Sequence, residues 1–461
     1  MNTRKMSSGI GSQRLLTQNF HLVWLDRSID ENNDDDRNWI LKLRQVVNAV
    51  NTFVDHDECI NFIDSMKKER AFVIVSGAFE QTVVTMIHNR PQVDNVYILC
   101  DNKPYQQKWI KKLLKVTDIY TDITSICESL KRDTRYCDHN SVSITFAKKT
   151  DEATDSDGNA LNASFIYTQL LKEILLTIDF GQEYIKEFFN YCRELFAGND
   201  IELKNINLIE KDYRHHQPIW WYTYECFLQS MLNRALHPTR VGLITRIGFF
   251  VRDLHQNIAK LHSEQYSGYH HSNSFIVYRA QSLSQADFDR LQTTQGGLLA
   301  FNNFLFTSLG SSVPLEFARH IINTSDKIGV LFIMKIDPSI SATPFANIKN
   351  TGYFQGEEEV LFSMHSVFRI GQVTQIEENN NRLWQVKLTL TADQDPQLRK
   401  LTQSMREDTA GLTGWFRHGR LMMAVSQYNK AQQIFEMILE QTTDKTEKAD
   451  IYYQLGCIKR A

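Results

Sequence analysis

The chain has 461 residues, 42% hydrophobic and 23% charged, an ordinary globular composition with length enough for two to four domains. Lysine and arginine (51) nearly balance aspartate and glutamate (54), leaving a net charge of -3; without a basic field, neither nucleic acid nor an anionic membrane is an expected partner. The seven scattered cysteines form no C-x-x-C pair, which argues against a disulfide framework or zinc site and fits reduced thiols in the cytoplasm.

Residues 1–18 are basic and polar and lack the apolar core of a signal peptide; disorder is expected there. No run of about 18 uncharged apolar residues occurs, so no membrane span is expected. From 19 to 146 short β-branched runs, FHLVWLD (20–26), AFVIVSG (71–77) and NVYILCD (95–101), alternate with helical patterns at 37–52 and 105–115. Alternation of that kind predicts a small parallel α/β domain. Asp26, Gly77 and Asp101 stand at the strand ends, where open α/β sheets place ligands. Aspartates there either serve a ligand or cap the following helix, and capping is the commoner use. GIGSQ (10–14) precedes the first strand and lacks the setting of a phosphate loop.

Residues 147–160 are small, polar and charged and read as a linker. From 161 to 265 apolar residues recur at three- and four-residue steps, predicting helices. PIWWYTYECFLQSMLNRAL (218–236) opens with Pro and is dense in aromatics, predicting one buried helix that includes Cys226. Between 266 and 392 the period becomes that of strands, in FIVYRAQ, FNNFLFTS, VLFIMKI, EEEVLF, FRIGQVTQI and LWQVKLTLT. They predict a mostly antiparallel β unit, interrupted by a short helix at 313–325. The fold class expected for the whole is therefore α+β and multidomain.

The last segment, 393–461, is helical again. It carries Trp415-x-x-His418-Gly419, Ala431-x-x-x-Phe435 and Tyr452-x-x-Leu455-Gly456. About 37 residues separate the two glycines, near the ~34 of a tetratricopeptide repeat (TPR). The expectation is the start of a TPR solenoid, truncated in its second repeat, that offers a peptide or protein partner a concave surface.

Within the β unit three features carry chemistry. Arg279 lies in an apolar strand, where burial is costly without an anion, and its fork suits carboxylate or phosphate. Thr307 and Ser308 end a second strand, and Glu357-Glu358-Glu359 opens a third after the turn NTGYFQG. Residues two apart on a strand share a face, so Glu357 and Glu359 point together. Two carboxylates side by side either share a proton or bind something cationic. His215-His216 and His270-His271 have no accompanying ligands at metal spacing, so no metal is expected.

In YRAQ, GGLLAFNNFLFTS and GEEEVLF, in that order, residues 205–390 resemble the arginine-specific mono-ADP-ribosyltransferases of the R-S-E, clostridial-toxin-like clade. The resemblance implies an enzyme moving ADP-ribose from NAD, with NADP as an alternative, to an exposed arginine of an acceptor protein. Arg279 would hold the NAD phosphate and Ala280 the nicotinamide carboxamide through its backbone. Thr307 and Ser308 would brace the cleft. Phe306 stands where the family has the first serine of Ser-Thr-Ser, a departure that leaves the hydroxyl's role to Thr307 or Ser308. Glu359 would support the oxocarbenium-like transition state, and Glu357 would orient and deprotonate the acceptor guanidinium. Tyr353 and Phe354 would meet the acceptor, where simple loop packing is the alternative. Two other functions stay open: an NAD glycohydrolase on the same residues, and an inactive NAD-binding scaffold working through the repeat.

Overall fold

The structure is a computed structural model that describes residues 20–460 except 31, 48, 67–68, 77–78, 80, 101–112, 114, 141, 150–155, 225, 237–240, 267–272, 325–326, 340–342, 354–357, 378–380, 393–394 and 410–413. It comprises two compact units, one of Met1–Asn140, Asn190–Lys211 and Arg319–Lys327, the other of Ser141–Phe189, Asp212–Ala318 and Ile328–Ala461. The expected disorder of 1–18 lies outside the described residues.

The first unit is built on five parallel strands, β1 (Phe20–Leu25), β2 (Val50–Phe53), β3 (Arg70–Ser76), β4 (Val93–Leu99) and β5 (Val116–Tyr120), in the order β2-β1-β3-β4-β5. Helices α1 (Asp34–Arg44), α2 (His56–Ser65) and α3 (Gln81–His88) connect them, and α4 (Ile123–Asn140) follows. The central strands are apolar on both faces because both are covered. Val23, Leu25, Val73 and Val75 enter one core cluster, whereas the alternate residues Leu22, Trp24, Phe72 and Ile74 enter the other. The helix expected over 37–52 ends at Arg44, and Val50–Phe53 instead pairs with β1 as the edge strand. At its start Asn33 accepts from the Asp35 backbone N–H and three aspartates occupy the first turn, a cap worth about 1 kcal/mol. Most of the helix expected at 105–115 falls outside the described residues, as do Gly77 and Asp101. Asp26 accepts hydrogen bonds from the backbone and hydroxyl of Ser28, which closes a turn.

The second unit carries nine strands in the order β11-β12-β9-β7-β10-β14-β13-β8-β6. They are β6 (Ile144–Ala147), β7 (Phe275–Leu283), β8 (Leu298–Phe301), β9 (Leu305–Ser308), β10 (Ile328–Ile336), β11 (Phe345–Asn347), β12 (Glu359–Phe362), β13 (Ser366–Gln375) and β14 (Leu383–Leu390). Every pairing recorded in this sheet is antiparallel except the parallel pair β10–β14. The run FNNFLFTS is two strands, not one. Asn302 and Asn303 break it, fully buried, with side chains bonded to Thr145, to Ser143 and to Asn233. Asparagine is a poor strand residue whose amide competes with the ladder.

Helices α5 (Ser156–Thr177), α6 (Gln182–Leu195), α7 (Asp200–Asp212), α8 (Pro218–Thr223), α9 (Phe227–Ala235) and α10 (Val241–Tyr266) come next in the chain, Asn190–Lys211 with the end of α6 and most of α7 belonging to the first unit. Helix α5 begins inside the segment expected to be a linker, and β6 joins the second sheet by pairing with β8. The single helix expected at 218–236 is two, α8 and α9, because Tyr224 and Cys226 take extended backbone angles. Helices α11 (Gln285–Thr293) and α12 (Ser312–Thr324) lie between strands, and α13 (Pro396–Asp408), α14 (Gly414–Ala424), α15 (Tyr428–Gln441) and α16 (Lys445–Ile458) follow the sheet. A methyl group on Gly419 would lie 2.6 Å from the Phe435 ring, so only glycine lets α14 and α15 pack this closely. Among the described residues no helix is long and apolar enough to cross a membrane.

Candidate active site on three neighbouring strands

The strand order places β12, β9 and β7 side by side, and with them Glu359, Ser308 and Arg279. Glu359 opens β12 directly opposite Ser308, and Ser308 is in turn opposite Tyr278 of β7, the neighbour of Arg279. Opposite residues in an antiparallel pair have Cβ atoms about 5 Å apart on one face, so the Ser308 hydroxyl and the Glu359 carboxylate share a face. Ser308 Oγ accepts from the Gly310 N–H at 3.2 Å. Thr307 points to the other face, and its hydroxyl donates to the Val360 carbonyl at 2.9 Å, fastening β9 to β12 beside the glutamate.

Arg279 is only 5% exposed. Its Nη1 donates to the Phe306 carbonyl at 2.9 Å, a bond from β7 to the residue two before Ser308. Burial pulls the guanidinium down to about 10, while Tyr222 and Glu359 favour its charged form. It remains a cation at neutral pH. Ala280 is buried at 7% exposure and pairs with Leu331.

Phe306 packs its ring against helix α8. It stacks on Tyr222 with centroids 5.4 Å apart and planes 2° from parallel. Tyr222 is fully buried in α8, and its hydroxyl donates to Asn233 Oδ1 of α9 at 3.2 Å. Asn303 Nδ2 donates to the Asn233 carbonyl at 2.8 Å. The aromatic stack and the amide pair thus hold the break before β9 against two helices. Sequence spacing did not reveal Tyr222, Asn233 or Asn303 as neighbours of the site, although two asparagines inside an apolar run were the visible sign.

Of the other residues expected at the site, Glu357 and Phe354 lie outside the described residues. Tyr353 is 42% exposed and borders Trp220 and Tyr224 edge-on. Glu358 is exposed and pairs with Lys349 at 3.3 Å. Among the described residues no group of three or more His, Cys, Asp or Glu could hold a metal ion. His216 stacks on Trp220, His215 pairs with Asp212, and His270-His271 lie outside the described residues. Cys226 sits between α8 and α9 at the start of the latter rather than within a helix.

No protein-family model matches the chain, and no curated protein matches it. Solved structures similar to it include the C3 exoenzyme of Clostridium limosum, at 16% identity and a TM-score of 0.28 over 38% of this chain and 83% of that one. Plx2a, an ADP-ribosyltransferase toxin from Paenibacillus larvae, is similar at 16% identity and 0.28, over 47% of this chain and 100% of its own. The Vis toxin of Vibrio splendidus, an ADP-ribosyltransferase, is similar at 14% and 0.27, over 53% and 90%. Overlap this low assigns no activity to the chain, whose function has to be read from its own residues.

Proposed function

We propose that the second unit is an NAD-dependent mono-ADP-ribosyltransferase acting on arginine side chains. The observation that carries this reading is a buried, charged Arg279 beside two strands on which Ser308 and Glu359 face each other. A buried guanidinium suits a pyrophosphate, which satisfies both its charge and its fork of donors. NAD is the substrate. The bond from its nicotinamide nitrogen to the ribose anomeric carbon breaks, and nicotinamide leaves with the electron pair. Positive charge then develops on the ribose, where the Glu359 carboxylate lowers its energy. An acceptor guanidinium nitrogen attacks that carbon and gives its proton to Glu357, and the products are ADP-ribosylarginine and nicotinamide. The Ala280 backbone holds the carboxamide, Ser308 supports Glu359, and Tyr353 and Phe354 meet the acceptor. NADP is the alternative donor.

Transfer to water instead of arginine would make the protein an NAD glycohydrolase. The Phe306 ring in a hydroxyl position is what favours the third reading, an inactive NAD-binding scaffold. Incubation with NAD labelled in the adenylate and with agmatine decides among them. Labelled agmatine supports the transferase. Free labelled ADP-ribose alone makes it a hydrolase, and NAD binding without nicotinamide release leaves the scaffold.

Helices α14–α16 are proposed to be a TPR-like stack that presents α16 to a protein partner in the cytoplasm; Tyr452 and Tyr453 on that helix are 61% and 69% exposed. Replacing both by serine should leave agmatine labelling unchanged and reduce labelling of proteins in a cell extract. An unaltered protein pattern would remove the repeat from acceptor choice.

A further inference from the structure

Helix α8 meets the turn that precedes Glu359 through one backbone bond and three rings. The Tyr353 N–H donates to Thr223 Oγ1 at 2.7 Å. The same hydroxyl donates its proton within the helix, where the Ile219 and Trp220 carbonyls lie at 3.0 and 3.1 Å. Its proton is committed there, so its lone pair faces the turn. The Tyr353 ring stands edge-on to Trp220 and Tyr224, with centroids 5.3 and 5.0 Å away. Trp220 is itself stacked between His216 at 3.9 Å and Tyr224 at 5.3 Å, both at 11°. Both ring faces of Trp220 are thereby covered, which makes the ladder a rigid support and leaves its edges for Tyr353.

The helix is well anchored for that purpose. Ile219 N–H donates to Asn257 of α10 at 3.2 Å, and Trp221 Nε1 donates to the Tyr213 carbonyl at 3.1 Å. At the base of the turn, Ile348 N–H donates to the Glu359 carbonyl at 3.0 Å. The turn is therefore held at its base by the Ile348–Glu359 bond and again at Tyr353 by Thr223, which fixes the side chain proposed above to meet the acceptor.

We propose that Thr223 is a positioning residue, one that fixes the turn so that ADP-ribose passes to the acceptor rather than to water. This rests on the transferase reading above. Thr223 acts through Tyr353, whose N–H its hydroxyl receives. Loss of its hydroxyl therefore alters where ADP-ribose goes and leaves NAD binding at Arg279 intact.

The test compares Thr223→Val, which keeps the shape and removes the hydroxyl, with Thr223→Ser, which keeps the hydroxyl. Two readouts are needed: hydrogen exchange at the Tyr353 amide, and the ratio of agmatine labelling to NAD hydrolysis. Losing one net hydrogen bond corresponds to roughly a tenfold change. In Thr223→Val the amide should exchange about tenfold faster and the ratio should fall about tenfold, with KM for NAD unchanged. Thr223→Ser should behave as wild type on both. An unchanged ratio in Thr223→Val, or an equal loss in Thr223→Ser, overturns the proposal. Exchange that responds in a wild-type background inert toward NAD would overturn the transferase reading, and with it the role in partition, while the Thr223–Tyr353 bond itself would stand.

Discussion

Asp94 and Arg279 are charged strand residues, one in each unit, the first partly buried and the second buried, and their surroundings treat them in opposite ways. Burial alone would raise the Asp94 carboxyl, but hydrogen bonds from Arg70 and the charges of Lys327 and Lys115 hold it below the usual carboxylate range. Its charge is more than compensated, as in a structural ion pair. For Arg279 burial wins: Tyr222 and Glu359 favour the cation, yet the guanidinium is still lowered to about 10. A shift of this kind, set by burial with a carboxylate nearby, is one that clusters at functional sites.

The contrast breaks if Arg279 merely holds strands together. Arg279→Lys keeps the cation but loses the fork, and kcat/KM for NAD should drop about 100-fold with the midpoint of chemical unfolding almost unmoved. A large loss of stability with NAD kinetics intact would make Arg279 structural. Asp94→Asn should do the reverse. Removing a partly buried partner of charged donors costs on the order of 1–2 kcal/mol, read as a lower denaturation midpoint, while ADP-ribosyl transfer per folded molecule stays at the wild-type level.

Acid should separate the two units further. In the second unit burial lowers His365 and His418 to about 3 and His255 to about 4, so these rings stay neutral in the folded chain. Unfolded, each takes up a proton near 6.5. The unfolded state binds more protons below that pH, and the stability these groups contribute is complete above about 6.5 and is lost as the pH falls toward 3–4. Among the described residues His21 is the histidine lowered in the first unit, against three in the second. The Asp94 pair, with its depressed carboxyl, keeps its contribution until still lower pH. Between pH 7 and pH 5 the melting midpoint of the second unit should fall by about 5 °C or more, and hydrogen exchange should accelerate there before it does in the first. Equal acid sensitivity of the two units would contradict the assignment.

The order Arg279, Ser308, Glu359 was legible because each residue sits at a strand whose alternation and turn residues are plain in the sequence, and the register could then bring them together. The parallel sheet was legible in β1, β3 and β4, whose runs are buried on both faces. It was not legible in β2, whose four residues are all half-buried, or in β5, where Thr117 and Asp118 are exposed. Neither produces a hydrophobic run, and β2 sits next to a helical pattern. The split between α8 and α9 is a matter of backbone angles at Tyr224 and Cys226 that no apolar periodicity reports. Arg279 reaches a backbone carbonyl, and Thr223 reaches a backbone N–H from 130 residues away. Contacts of side chain to distant main chain have no residue type to betray them, which is why the support of the candidate site was invisible while the strands that carry it were not.

The central claim is that two carboxylates two residues apart divide the work, Glu359 serving NAD cleavage and Glu357 the acceptor. Labelled NAD and agmatine, given to wild type, Glu359→Gln and Glu357→Gln, test it most directly. Nicotinamide release should be lost in Glu359→Gln, by about 100-fold or more, and kept in Glu357→Gln, where labelled ADP-ribose goes to water and none reaches agmatine. Transfer that survives both changes, or a wild type that releases no nicotinamide, would contradict it.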